Sequence, residues 1–250
     1  MPETLSQYSH NYILTAGESS AEGRMPITLV TERVIEVATE HANALGIGYD
    51  TLIKRNIGWV LSRLSLEMLR YPAINEEYKL TTWIETYNRR FSERNFVMTD
   101  RDGEVLGYMR TVWVPMDFAS RTVADIAAFE KSSFPTADLP CPIAKTPRIP
   151  ALPDDAATEN YTFRYRDLDF NRHVNTVRYL DLILNHWSLE HFDEMYPSRF
   201  DIMFHHECHF GENVKLRVSP GPDTCPGDLC EIIGENGARA LTARILWQRY

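Results

Sequence analysis

The chain predicts an α+β protein in which one plan, a single amphipathic helix with several antiparallel strands, is written twice. Three observations point that way. Two short motifs recur at matched spacing, each half carries one helical apolar stripe, and a proline-rich stretch separates the halves. The repeat is anchored on Asp102-Gly103 followed by Arg110-Thr-Val-Trp113, and on Asn236-Gly237 followed by Arg244-Ile-Leu-Trp247. Glycine to arginine is seven residues in both, and glycine to tryptophan is ten. Asp-Gly and Asn-Gly are hairpin signals, read here as two-residue turns with φ > 0 at both positions. Lys79-Leu80 and Lys215-Leu216 precede the two glycines by 24 and 22 residues. Several motifs at matched offsets argue for a duplicated domain.

In the first half Val30, Val34, Val37, Ala38 and Leu45 share a helical stripe that Gly46 and Gly48 stop. In the second half Leu180, Ile183, Leu184 and Trp187 form the stripe, with Asn175 as N-cap. Strand-like runs cover residues 79–86, 95–99, 105–115, 214–219 and 238–247. Six of the fourteen prolines fall between Pro135 and Pro153, so residues 133–158 read as an extended linker. The expected division is an N-terminal domain over 1–132, this linker, and a C-terminal domain over 159–250.

Composition bounds the function. With 44% apolar and 24% charged residues in 250 positions, the chain reads as globular, long enough for a sizeable core. No apolar run approaches the roughly 20 residues that span a bilayer, so no membrane role is expected. Met1-Pro2-Glu3-Thr4-Leu5 carries neither a basic segment nor an apolar core, so it is not read as a signal peptide. Cys141, Cys208, Cys225 and Cys230 lack metal-type spacing, and a reduced, cytoplasmic compartment is expected. A net charge of −9 argues against a nucleic-acid partner.

The chemistry is concentrated in Arg164-Tyr-Arg-Asp-Leu-Asp-Phe-Asn-Arg-His-Val-Asn175. In an extended stretch Asp169, Asn171 and His173 point one way, just ahead of a helix start with free N–H groups and positive potential. A carboxylate, an amide and an imidazole so placed can direct attack on a carbonyl and hold its oxyanion. An ordinary Asp/Asn-rich turn capping a helix would look the same, and the residues alone leave both readings open.

Asp167-Leu-Asp-Phe-Asn-Arg-His-Val-Asn175 followed by Tyr179 resembles the signature of the acyl-acyl carrier protein (acyl-ACP) thioesterases of plants and bacteria. Two further blocks resemble the same family: Asn56-Ile-Gly-Trp-Val-Leu-Ser-Arg-Leu-Ser-Leu-Glu-Met-Leu-Arg-Tyr-Pro72 and His206-Glu-Cys208. The resemblance runs from about residue 4 to the end. It implies two tandem hotdog domains, each a curved antiparallel sheet around a long central helix, and hydrolysis of fatty acyl-ACP. It also implies the catalytic set Asp169, Asn171, His173 and Glu207. The two carboxylates would orient and activate a water, while Asn171 and His173 bind the carbonyl or steer the proton. A thiol of pKa near roughly 8.5 leaves without a strong general acid. A papain-like cysteine nucleophile is the other picture of this family and would make Cys208 catalytic. On a regular strand Glu207 and Cys208 face opposite sides, and Glu207 is the one placed in the site.

His205, Glu207 and His209 would share a strand face and could bind zinc, but polar-strand histidines are the plainer reading; neither metal nor cofactor is expected. The first half has no Asp-x-Asn-x-His, and alignment on Lys79 and Lys215 sets Tyr71 against Glu207 and Pro72 against Cys208. One active site per chain follows. The family plan gives the first half the acyl pocket, with Trp59, Val60, Leu64, Leu66 and Met68 as candidates that are equally core residues by pattern. The implied partner, acyl carrier protein, is itself acidic, so a local basic patch must receive it. Arg89, Arg90 and Arg172 are the candidates, within a wider group containing Arg94, Arg164, Arg166 and Arg178. A hotdog dehydratase, an acyl-CoA thioesterase and a non-catalytic acyl-carrier module are the alternatives. Whether the chain acts alone or as a homodimer stays open.

Overall fold

The computed structural model describes residues 6–124 and 135–250. The N-terminal Met1–Leu5 segment and the first two residues of the proline-rich stretch lie outside the described residues. The chain divides into two compact units, Met1–Lys145 and Thr146–Tyr250. Each is an antiparallel sheet with one main helix, in the order strand, helix, four strands.

The first unit comprises β1 (Gln7–Ile13), α1 (Ile27–Ala44), the single turn α2 (Tyr49–Leu52), β2 (Ile57–Met68), β3 (Glu77–Tyr87), β4 (Ser92–Asp100), β5 (Val105–Asp117) and the two-residue β6 (Thr122–Val123). Its sheet runs β1-β3-β4-β5-β2, with β6 on β5. The apolar stripe of α1 is buried through Val30, Val34, Val37 and Ala38. The helix ends as expected. Gly46 takes φ 74°, its N–H reaches the Asn43 carbonyl at 2.9 Å, and the Ile47 N–H reaches Ala42 at 2.9 Å. A residue without a Cβ takes that left-handed cap most cheaply.

The second unit comprises β7 (Ala157–Thr162), α3 (Thr176–Leu184), α4 (Leu189–Glu194), β8 (Met195–Phe204), β9 (Asn213–Pro220), β10 (Asp228–Gly234) and β11 (Arg239–Arg249). Its sheet runs β7-β9-β10-β11-β8, the same plan as the first. The helix is shorter than the long one expected. It has nine residues, stops at Leu184, and leaves Trp187 outside its stripe. Trp187 packs edge-to-face on Trp247 at 4.9 Å between ring centroids instead. Edge-to-face aromatic pairs of this kind are favourable, and both rings are partly buried.

The repeated turns differ from the two-residue turns expected. Gly103 and Gly237 take φ 90° and 77°, but Asp102 and Asn236 stay at negative φ. The Gly103 N–H reaches Asp100 O at 3.1 Å and the Asp100 N–H reaches Glu104 O at 2.9 Å. The second turn repeats this from Gly237 to Gly234 and from Gly234 to Ala238, both at 2.9 Å. Both are type I turns closed by a glycine bulge, so only the second residue of each motif needs positive φ.

Of the proline-rich segment, residues 135–145 lie on the first unit, where Trp83 donates to Leu139 O at 2.7 Å. Further along, Leu152 packs with Cys225 and Leu229 in the second unit, and the last two residues of the segment open β7.

The helix-facing side of the first sheet carries Leu64, Leu66 and Met68 of β2, Met109 of β5 and Phe96 of β4, all at most 1% exposed. Among them sits Arg94, 4% exposed, with Nη1 2.6 Å from Nδ1 of the buried His41 on α1 and 3.4 Å from Thr82 Oγ1. Burial pulls the Arg94 pKa down to about 9.

Candidate active site

The segment before α3 is a closed turn, not the extended stretch expected. Leu168 and Val174 bridge antiparallel, and Phe170 and Asn171 form the turn between them. Arg172 takes φ 64°, a left-handed conformation that an arginine adopts only at a cost. Asp169 holds the turn. Its Oδ1 accepts the N–H of Asn171 at 2.8 Å and of His173 at 3.1 Å, and its own N–H donates to His173 O at 2.8 Å. Asp169, Asn171 and His173 are therefore brought together, by an Asx-type turn rather than by strand alternation. Asn175 caps α3 as expected, its side chain accepting the Val177 N–H at 3.0 Å.

The second wall comes from the chain leaving β8. Pairing ends at Phe204, so residues 205–208 are not the regular strand expected. They run beside the turn, because the Val174 N–H donates to Cys208 O at 2.9 Å and His173 bridges to His209. Glu207 Oε1 lies 3.4 Å from His173 Nδ1, both side chains partly open to solvent. Glu207 and Cys208 still part company, by burial and not by strand alternation. Cys208 is buried, with its N–H donating to the Tyr179 hydroxyl at 3.0 Å. Burial pushes its thiol up to about 11, the Tyr179 hydroxyl opposing and Glu212 reinforcing the shift. A thiol with such a pKa is almost entirely protonated near neutrality.

His205, Glu207 and His209 do not share a strand face, because β8 ends at Phe204 before them. His205 is 3.1 Å from Thr242 Oγ1, His209 Nδ1 is 2.9 Å from Glu212, and Glu207 faces His173.

Two supports escaped the sequence reading. Asp167 is buried and accepts the Tyr161 hydroxyl at 3.0 Å and the Arg164 N–H at 2.7 Å, while its carbonyl receives the Asn175 N–H at 2.8 Å. No capping spacing announces it, because the residue three before Asp167 is an arginine, which has no acceptor to offer. Tyr179, known only as part of a signature, pins the backbone of Cys208.

Of the basic candidates, Arg89 and Arg90 are exposed on the β3–β4 hairpin of the first unit, lining a cleft of about 560 Å³ with Thr122, Val123 and Ala124. Arg172 is exposed in the turn before α3 of the second. Arg178 is committed to Asp181 at 2.7 Å, and Arg94 is buried. The pocket candidates divide. Pairing with β5 sets Trp59, Leu64, Leu66 and Met68 opposite Pro115, Thr111, Met109 and Gly107 on the helix-facing side, whereas Val60, opposite Val114, is on the other face.

The halves of the chain match the acyl-ACP thioesterase N-terminal domain over residues 6–129 and the acyl-ACP thioesterase C-terminal domain over residues 151–249. A dodecanoyl-[acyl-carrier-protein] hydrolase of Cinnamomum camphora, named chloroplastic, is 25% identical over 257 residues, 96% of this chain and 67% of that protein. Oleoyl-acyl carrier protein thioesterase 2 of Arabidopsis thaliana, also named chloroplastic, is 25% identical, over 95% of this chain and 69% of that one. The crystal structure of an acyl-ACP thioesterase from Bacteroides thetaiotaomicron superposes with a TM-score of 0.88 at 26% identity, over 99% of this chain and 100% of that chain. The 12:0-ACP thioesterase of Umbellularia californica shares the fold, with a TM-score of 0.82 at 20% identity over 98% of both chains. With both of its domains matched in order, the chain belongs to the acyl-ACP thioesterase family.

Proposed function

We propose that the chain hydrolyses the thioester of fatty acyl-ACP, releasing free fatty acid and ending chain elongation. The observation that supports this most is Glu207 beside His173 at 3.4 Å, next to a turn that Asp169 holds closed. Glu207 takes the proton of a water whose oxygen adds to the thioester carbonyl carbon, and His173 steers that proton. Asn171 and His173 offer N–H donors to the oxyanion. The tetrahedral intermediate collapses as the C–S bond breaks, and the proton returns to the departing pantetheine sulfur. Asp169 acts chiefly by shaping the turn, while Cys208, buried and protonated, stays out of the reaction.

Acyl carrier protein is the partner, and Arg89, Arg90 and Arg172 help to receive it; the reaction needs no cofactor. A reduced, cytoplasmic setting suits the four free cysteines. The test is hydrolysis of a C8 to C18 acyl-ACP series beside matched acyl-CoAs, a range of roughly what a buried apolar pocket holds. Fatty acid should be released from acyl-ACP, and no release across the series would refute the reading.

A further inference from the structure

Three side chains around the catalytic turn stand out by exposure. Tyr165 is 80% exposed, Phe170 75% and Phe210 66%, the highest values for large hydrophobic side chains among the described residues. Backbone pairing brings the three segments that carry them together. Tyr165 opens the short 3-10 turn Tyr165–Asp167, and Phe170 lies at the tip of the catalytic turn. The antiparallel bridge between His173 and His209 sets Phe210 across from Arg172. The Gly211 N–H donates to Phe163 O at 2.9 Å, which draws the approach to Tyr165 alongside Phe210.

Arginines alternate with these rings. Arg164, Arg166 and Arg172 are all exposed. Asp167 and Asp169, which lie between them in sequence, have other work: Asp167 accepts Tyr161 and the Arg164 backbone, and Asp169 accepts two backbone N–H groups of the turn; across the His173–His209 bridge, Glu212 pairs with His209. Single surface aromatics need no explanation. Three rings with three guanidinium groups around one site have the composition of an interface core, where aromatic residues and Arg are enriched.

We infer that this aromatic and arginine collar, which takes in Arg172, is the second unit's docking surface for the acidic carrier. Tyr165, Phe170 and Phe210 would seat between apolar side chains of a carrier helix, and Arg164, Arg166 and Arg172 would pair with its carboxylates. The charge balance favours this occupant. A protein of net charge −9 repels an acidic partner in general, so approach is attractive only through a local cationic patch. The inference rests on the function proposed above and names which surface carries its partner.

The test compares the full chain with Tyr165→Ser/Phe210→Ser and with Arg164→Glu/Arg166→Glu, leaving the catalytic turn untouched. Two readouts are needed: kcat/KM for one acyl group on carrier protein against the same group on pantetheine, and fluorescence titration with holo-carrier protein. Each variant should lower the carrier-to-pantetheine ratio at least tenfold, chiefly through KM, and weaken carrier binding to match. The charge variant should also flatten the salt dependence, and the aromatic variant should keep it. An unchanged ratio and unchanged carrier titration overturn the inference. So does a loss of binding to anionic phosphatidylglycerol vesicles, or of self-association, in place of carrier binding, because the collar would then serve a lipid surface or a second copy. If the double aromatic variant does not fold, Phe210→Ser alone supplies the comparison. If the wild type hydrolyses neither substrate, the hydrolase reading fails, while the carrier titration still decides the docking surface.

Discussion

The two units share strand order, turn type and a matched arginine, yet they differ where the second strand of each leaves its sheet. Arg110 of β5 lies opposite Ser65 of β2, and Arg244 of β11 lies opposite Asp201 of β8. Six residues beyond Ser65 comes Tyr71, buried; six beyond Asp201 comes Glu207, partly open and facing His173. Their interiors diverge as well. The first has the buried Arg94–His41 contact under its helix, whereas the matched side of the second carries Phe200, Ile202, Ile245, Cys230 and Val218. Duplication thus supplied two copies of one frame, and the candidate chemistry depends on how one copy ends a strand.

That contrast yields predictions. The largest effect belongs to Glu207. Glu207→Gln should lower kcat by on the order of 10²–10⁴, the range for a lost general base, with the fold intact. Its counterpart change in the first unit, Tyr71→Phe, should leave kcat within about twofold, as for a substitution that removes no catalytic contact. Steady-state hydrolysis of acyl-ACP checks both, and equal losses would break the contrast. Asp169→Asn should cost on the order of 10² in kcat, because the amide accepts the two turn N–H groups less strongly than the carboxylate. Near-native activity would remove Asp169 from the account.

The Arg94–His41 contact sharpens the comparison of interiors. Arg94→Leu removes a charged donor from the buried imidazole and should destabilise the chain by about 1–3 kcal/mol. Arg94→Leu/His41→Leu removes both polar groups and should recover most of that loss, because a matched apolar pair no longer has a buried group to satisfy. Denaturant melts decide it, and a double variant no better than the single would contradict the buried-pair argument.

The smallest effect belongs to Cys208. Cys208→Ala should keep kcat within several-fold, losing only what packing costs. Because burial raises the thiol to about 11, its alkylation should be slow near pH 7 and rise about tenfold per pH unit until it levels near that value. Fast single-site alkylation at neutral pH that tracks inactivation would restore the cysteine as nucleophile.

Signals confined to a few neighbouring residues were legible in the sequence. The glycines at 46, 103 and 237 mark positive φ, and Asn175 marks the start of α3. The four residues the family resemblance implies lie around one turn. What escaped depends on tertiary pairing. Arg172 carries no mark of left-handed backbone, where Gly or Asn would, so the turn it closes reads as a strand. The end of β8 at Phe204 is set by the loss of a partner, which no residue in His205–Cys208 announces. Arg94 and His41 are 53 residues apart and meet only once α1 lies on its sheet.

The central claim is that Glu207, and not Cys208, serves hydrolysis of acyl-ACP. Initial rates of fatty acid release from a C8 to C18 acyl-ACP series, measured for wild type, Glu207→Gln and Cys208→Ala, test it directly. That series spans roughly the chains a buried apolar pocket holds. The account predicts release by wild type, near-complete loss in Glu207→Gln and retention of most of the rate in Cys208→Ala. A folded Cys208→Ala protein without activity, beside an active Glu207→Gln, would contradict it.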